Sequence, residues 1–191
     1  MATSRVLLAL VLAGCAGSAM AHGGHAGAHF GAGLAHPFSG LDHVLAMLAV
    51  GMVATQCPGH GRWLLPAGFV MAMLAGAGLG ALGVALPGVE AGIAVSVVVL
   101  GAWLALGRPA SLWVMLPLVG VFALFHGAAH FAEAGNASLV RYAAGFAVAT
   151  ATLHGAGYLL ARWAPRSLLA TRAKRAAGMT MAGVGLVLLG G

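Results

Sequence analysis

Six stretches of the sequence, roughly 34–55, 63–86, 88–107, 111–133, 139–161 and 173–191, are each close to the length a helix needs to cross a bilayer. Within lipid a chain must satisfy its own backbone polar groups, and a run of this length does so as a helix. Composition agrees. With 61% hydrophobic and 6% charged residues, the chain is neither an ordinary soluble globule nor a disordered tail. The fold expected is all-α: a polytopic membrane protein with six transmembrane helices after an N-terminal signal segment, residues 34–191 forming one domain. Breakers at Pro58-Gly59, Pro87-Gly88, Gly107-Arg108-Pro109, Gly135-Asn136 and Pro165 mark the joins. The tight Pro87-Gly88 link implies that the second and third spans form a hairpin. Gly76 and Gly80 make a GxxxG pattern suited to close helix contact. A short echo relates Ala123-Leu124-Phe125-His126-Gly127-Ala128 to Ala151-Thr152-Leu153-His154-Gly155-Ala156.

Residues 1–21 read as a secretory signal: Arg5, a short apolar run from Val6 to Gly14, and Ala19-Met20-Ala21 before His22. Leu12-Ala13-Gly14-Cys15 offers a competing lipoprotein-type site, and an uncleaved anchor is a third reading. If Cys15 leaves with the signal, Cys57 is the only remaining cysteine, so disulfide and CxxC chemistry are excluded. Residues 22–33 form a Gly- and His-rich tail in which His22 and His25 suit metal capture, though such a segment also serves as a plain linker. The nine Lys and Arg residues orient the chain rather than bind nucleic acid. Arg62, Arg108, Arg162, Arg166, Arg172, Lys174 and Arg175 fall on one side and Arg141 on the other. By the positive-inside rule both mature termini are then periplasmic, on the far side of the inner membrane.

The polar residues of the spans carry the function. All three acidic residues, Asp42, Glu90 and Glu133, and five of the nine histidines lie in or at the edge of a span. Ionisable groups in hydrocarbon are costly and normally face a cavity or a partner. His36 and His43, seven apart, fall on nearly one helix face, with Pro37 either opening the helix or loosening the backbone so that His36 bends toward its partners. His126, His130 and Glu133 fall on one stripe of the fourth span. Counted from the outer surface, His43 lies roughly 13 Å deep and His126 roughly 10 Å, so one site can use both helices. His154, roughly 22 Å deep, suits a later station on a path inward and equally a helix–helix hydrogen bond. Glu90 could gather cations at the mouth, or be a solvated loop carboxylate. Arg141 could pair with Glu133 or snorkel to headgroups.

Imidazole and carboxylate without thiolate suit a borderline divalent ion such as Ni²⁺, Co²⁺ or Zn²⁺. Met47, Met52, Met71 and Met73 leave a softer metal open but also serve as apolar filler. Cys57 and His60 in the first inner loop could receive an ion on exit.

The words His36-Pro37-x-x-Gly40-x-Asp42-His43 and Phe125-His126-Gly127-x-Ala129-His130-x-x-Glu133, with a signal segment, a His tail and six spans, resemble the HupE/UreJ family of nickel permeases. The resemblance implies uptake of nickel, or cobalt in some members, with His36, Asp42, His43, His126, His130 and Glu133 as transport residues. It implies no prosthetic group, with Ni²⁺ or Co²⁺ as cargo and the lipid bilayer as surroundings. Hydrogenase or urease metallochaperones would be the receiving partners. His154 and Glu90 are added from the residue pattern alone. Two other classes compete. An intramembrane zinc hydrolase could hold zinc on His126, His130 and a third histidine, with Asp42 or Glu133 as general base. A b-type haem protein could use His43 and His126 as axial ligands. No GxxxxGK[ST] loop occurs in these residues, so nucleotide hydrolysis does not supply the drive.

Overall fold

The computed structural model describes residues 30–134, 138–163 and 167–190, all in helices and short connections. The signal segment, most of the His tail, and with them His22 and His25 lie outside the described residues. The elements are α1 (Phe30–Ala35), a 3₁₀ turn (His36–Phe38), α2 (Leu41–Ala54), α3 (Gly61–Ala81), α4 (Val89–Leu106), α5 (Leu112–Ala134), α6 (Leu139–Trp163) and α7 (Leu168–Gly190).

Four helices, α3 to α6, are long and apolar enough to cross a membrane, and five spans result if α1 and α2 count as one. The expectation of six is corrected at both ends. The first span is not one helix, because α1 with its 3₁₀ turn meets α2 at 84°. Pro37 sits at the start of the 3₁₀ turn, and Gly40, with φ −108° and ψ 126°, is extended before α2 resumes. Proline removes a backbone donor and an extended residue cannot continue the helix ladder, so the chain turns here. At 14 residues α2 measures about 21 Å, short of a full crossing. The last helix falls short in composition, since Arg172, Lys174 and Arg175 occupy its first turns. Those cations close the ends of neighbouring helices. Lys174 Nζ donates to the Ala161 carbonyl at 2.7 Å near the C-terminal end of α6, and the Arg175 guanidinium lies against Gly107, the left-handed residue (φ 62°) that ends α4. Cations are favoured where helix carbonyls lack partners.

The packing follows the glycines. α3 and α5 lie side by side in the same direction: Gly68 meets Leu116, Gly76 the Leu124 backbone, Gly80 the Phe131 ring, and Gly127 the Met73 carbonyl. The GxxxG glycines therefore do face a neighbouring helix. α4 and α7 pair antiparallel, with Gly101 on Gly178 and Ala182, and Gly185 on Val98 and Ala94. Thus α3 packs chiefly on α5 and α4 on α7, so the expected hairpin of the second and third spans is a sequence neighbour only. Of the two echoed glycines, Gly127 is a helix contact whereas Gly155 faces open space. α2 runs through the middle, touching α3, α4, α6 and α7, and eight consecutive-turn residues, Ala46, Met47, Ala49, Val50, Gly51, Met52, Val53 and Ala54, are buried. A helix apolar all round belongs in such a centre.

Trp63, Trp113 and Trp163 are exposed at one end of the bundle, beside Arg62, Arg108 and Arg162. Trp63 stacks on Tyr158 of α6 at 5.5 Å, which fixes these ends at one level. Indole rings concentrate at the membrane–water boundary, so this belt and its arginines mark one face of the bilayer.

Candidate metal site

The break in the first span makes the site. Turning at Pro37 and Gly40 lays α1 across α6, where Gly33 contacts the Tyr142 backbone and Gly145 contacts Phe30. His36 is thereby carried from its place along a helix axis to a position facing His43 and His130, with ring centroids 5.8 and 4.7 Å away. His43, in the first turn of α2, lies 5.1 Å from both His126 and His130 of α5. Four imidazoles from three segments therefore form one cluster. One nitrogen each from His36, His43 and His130 lie within 4.8 Å of one another. An ion about 2.1 Å from each nitrogen needs them within roughly 3–4 Å, a closure that small side-chain rotations supply.

The hydrogen bonds set which nitrogen is offered. Asp42 Oδ1 accepts the His43 backbone N–H at 2.7 Å and lies 2.9 Å from His43 Nδ1. A carboxylate only accepts, so Nδ1 carries the proton and Nε2 keeps its lone pair. His126 Nδ1 is likewise 2.9 Å from the Phe122 carbonyl and must donate to it, leaving Nε2 as a ligand. This is the outer-shell arrangement that orients imidazoles for metal binding. Asp42 thus acts through His43, a role its spacing alone does not reveal. Glu133 pairs with His36 Nε2 at 2.8 Å, and its side chain is 53% exposed against 15% for His36. Its partner among the described residues is His36, and Arg141 is exposed at the surface. From Glu133 inward, through His36 to His43, His130 and His126, burial increases until the last two are fully enclosed.

Those buried rings are short of partners. Among the described residues, His43 Nε2, His126 Nε2 and both nitrogens of His130 and His154 are buried without a protein hydrogen bond. Each such group costs about 1–3 kcal/mol, and a fold that selects them needs a reason beyond packing. A bound cation is such a reason.

Several features of the site were not legible in the sequence. Phe146 stacks on His130 at 4.4 Å and 12°, and Tyr142 lies 5.9 Å from His36. Phe69 touches His126 and His154 together. Thr150 Oγ1 lies 3.2 Å from the Met47 sulfur and 3.7 Å from that of Met73. Met47 and Met73 are wholly buried while Met71 is exposed, which fits apolar filling better than a thioether site. His154 lies apart from the four-ring cluster. Glu90 is exposed in the first turn of α4 and, among the described residues, joins neither ion pair. At the other end, burial pushes the Cys57 thiol up from its ordinary value, which disfavours the thiolate an exit ligand would need.

The family described as HupE / UreJ protein matches residues 9–188, nearly the whole chain. The chain belongs to this family. Protein HupE of Rhizobium leguminosarum bv. viciae is 43% identical over 122 residues, covering 63% of this chain and 64% of that protein. The chain thus matches somewhat less than two thirds of the relative's length. No solved structure matches. The HupE/UreJ family is one of metal transport or accessory proteins rather than enzymes, which counts against the zinc-hydrolase reading. Nor does the family call for a prosthetic group such as haem. Four helices long and apolar enough to cross a membrane fit a multi-pass membrane protein.

Proposed function

We propose that this chain is a permease for a divalent transition metal, nickel foremost and cobalt second, operating in the bacterial inner membrane. The observation that carries the reading is the convergence of His36, His43 and His130 nitrogens within 4.8 Å inside an apolar bundle, beside the orphaned Nε2 of His126. All-nitrogen donors of this kind suit borderline ions rather than Mg²⁺ or Ca²⁺, which take oxygen.

The orientation proposed puts the arginine and tryptophan belt in the cytoplasm and the Glu133 end outside. Antiparallel packing of α7 on α4 supports an outer C-terminus, at the end that carries Glu90. The His tail, including His22 and His25, concentrates the ion, and Glu90 adds negative charge at that face. Glu133 and His36 admit it, His43, His130 and His126 replace its water, and Asp42 holds the His43 ring in its binding tautomer. His154 receives it deeper in the bundle. An inside-negative potential draws each charge inward by about 2.3 kcal/mol per 100 mV. A hydrogenase or urease metallochaperone then takes it up.

Radionickel accumulation tests this reading. Cells producing the chain should exceed empty cells, with cobalt the stronger competitor and magnesium without effect. Imidazole binds metal only when neutral, so uptake should decline as the outer pH falls. Protonation adds a charge that competes with the ion, and lower pH therefore gives less uptake. Accumulation no higher than that of empty cells, at constant protein abundance, would contradict the permease reading.

A further inference from the structure

We propose that Phe69 is the gate of the ion path, the residue whose ring separates the four-histidine cluster from His154 and sets both the rate and the selectivity of passage. The proposal rests on the permease reading above and adds the step between its two stations. Phe69 is wholly buried on α3. Its ring centroid lies 5.4 Å from His126 of α5 at 64° and 5.0 Å from His154 of α6 at 90°. One phenyl ring thus meets, on two different helices, the innermost imidazole of the cluster and the deeper lone imidazole.

Both neighbours are unsatisfied. Among the described residues, His126 Nε2 and both nitrogens of His154 are buried without a protein partner. Two orphaned imidazoles that share contact with a ring offering no lone pair are a poor arrangement for stability and a suitable one for a barrier. A divalent ion on His126 has no ligand to move to until the ring turns aside. The face of a phenyl ring attracts a cation, so the ring eases the ion past as it rotates rather than only blocking it. The surroundings allow that movement. Met73 stands one turn further along α3, and its unbranched side chain packs with Met47 around Thr150. Such thioether side chains change rotamer readily. A requirement for rotation also discriminates, because an ion that keeps its water, as magnesium tends to, is bulkier beside the ring than one that has given it up to the imidazoles above.

The test is radionickel initial rates for Phe69→Leu, Phe69→Ala and Phe69→Trp at matched membrane abundance, with magnesium as competitor and nickel binding measured on the purified proteins. Leucine and alanine should raise the rate by about three- to tenfold and weaken discrimination against magnesium, while tryptophan lowers the rate. Nickel affinity should stay within about twofold, because the ligands are untouched. Leucine keeps the site apolar and filled, so it guards against an alanine variant that fails to fold. A leucine variant with wild-type rate and selectivity, or with lost uptake, would make Phe69 ordinary packing and overturn the gate. If wild-type cells accumulate no nickel above empty cells, the permease reading itself fails and takes the gate with it.

Discussion

Replacing His130 by alanine should reduce nickel uptake by at least about a hundredfold at unchanged protein abundance. Loss of a mere outer-shell partner costs a metal site about 10–100-fold, and His130 is proposed as a direct ligand. It is fully buried, it meets His36 and His43 at 4.7 and 5.1 Å, and neither of its nitrogens has a protein partner. The ring also stacks on Phe146, so alanine removes packing as well as a ligand. His130→Phe separates the two effects, because it keeps an aromatic ring there without a nitrogen. Both variants should lose uptake, and the phenylalanine protein should be at least as heat-stable as the wild type, since it buries no orphaned polar atom. Phenylalanine retaining uptake would remove His130 from the ligand set.

The second large effect concerns a residue with no donor atom. A Cβ at Gly51 of α2 would collide with the His154 carbonyl oxygen and crowd the Tyr158 amide on α6. Backbone cannot retreat as a flexible side chain can, so Gly51→Ala must push α2 away from α6. The expected cost is about 1–3 kcal/mol, seen as a lower thermal midpoint in detergent, with uptake reduced although every proposed ligand remains. Gly155 on α6 is the control. Nothing lies within 4 Å of a Cβ there, so Gly155→Ala should be neutral or stabilising by up to about 1 kcal/mol through helix propensity. Equal effects at the two positions would mean that the α2–α6 contact does not position the site.

Much of this arrangement is written in the sequence, and the reasons for the remainder are physical. Apolar length shows the helices directly, and the spacing of His126 and His130 puts both on one face of α5, as the structure has it. Depth counting brought His43 level with His126, and the rings do meet. The right-angle break is only half-legible, because Pro37 and Gly40 allow a bend without specifying its size. The final helix illustrates the opposite difficulty. Its cations read as an inner loop, yet Lys174 and Arg175 lie within α7 and serve the ends of α6 and α4. Phe69, Phe146 and Tyr142 could not be singled out because periodicity reports a buried face only by contrast with a polar one. A phenyl ring facing lipid and one facing an imidazole look alike in an all-apolar helix. The role of Asp42, though not the residue, is hidden for another reason. Adjacent residues on a helix do not share a face, so its bond to His43 arises from the first-turn geometry of α2 rather than from any spacing rule.

The central claim is that the histidines at the broken first span hold the ion directly. Nickel K-edge X-ray absorption on the purified, nickel-loaded protein reads this without reliance on transport. The account predicts the multiple-scattering pattern of several imidazoles around nickel, with at least one imidazole lost in His130→Phe. A spectrum of oxygen ligands alone, or one identical in the wild type and His130→Phe, would contradict it.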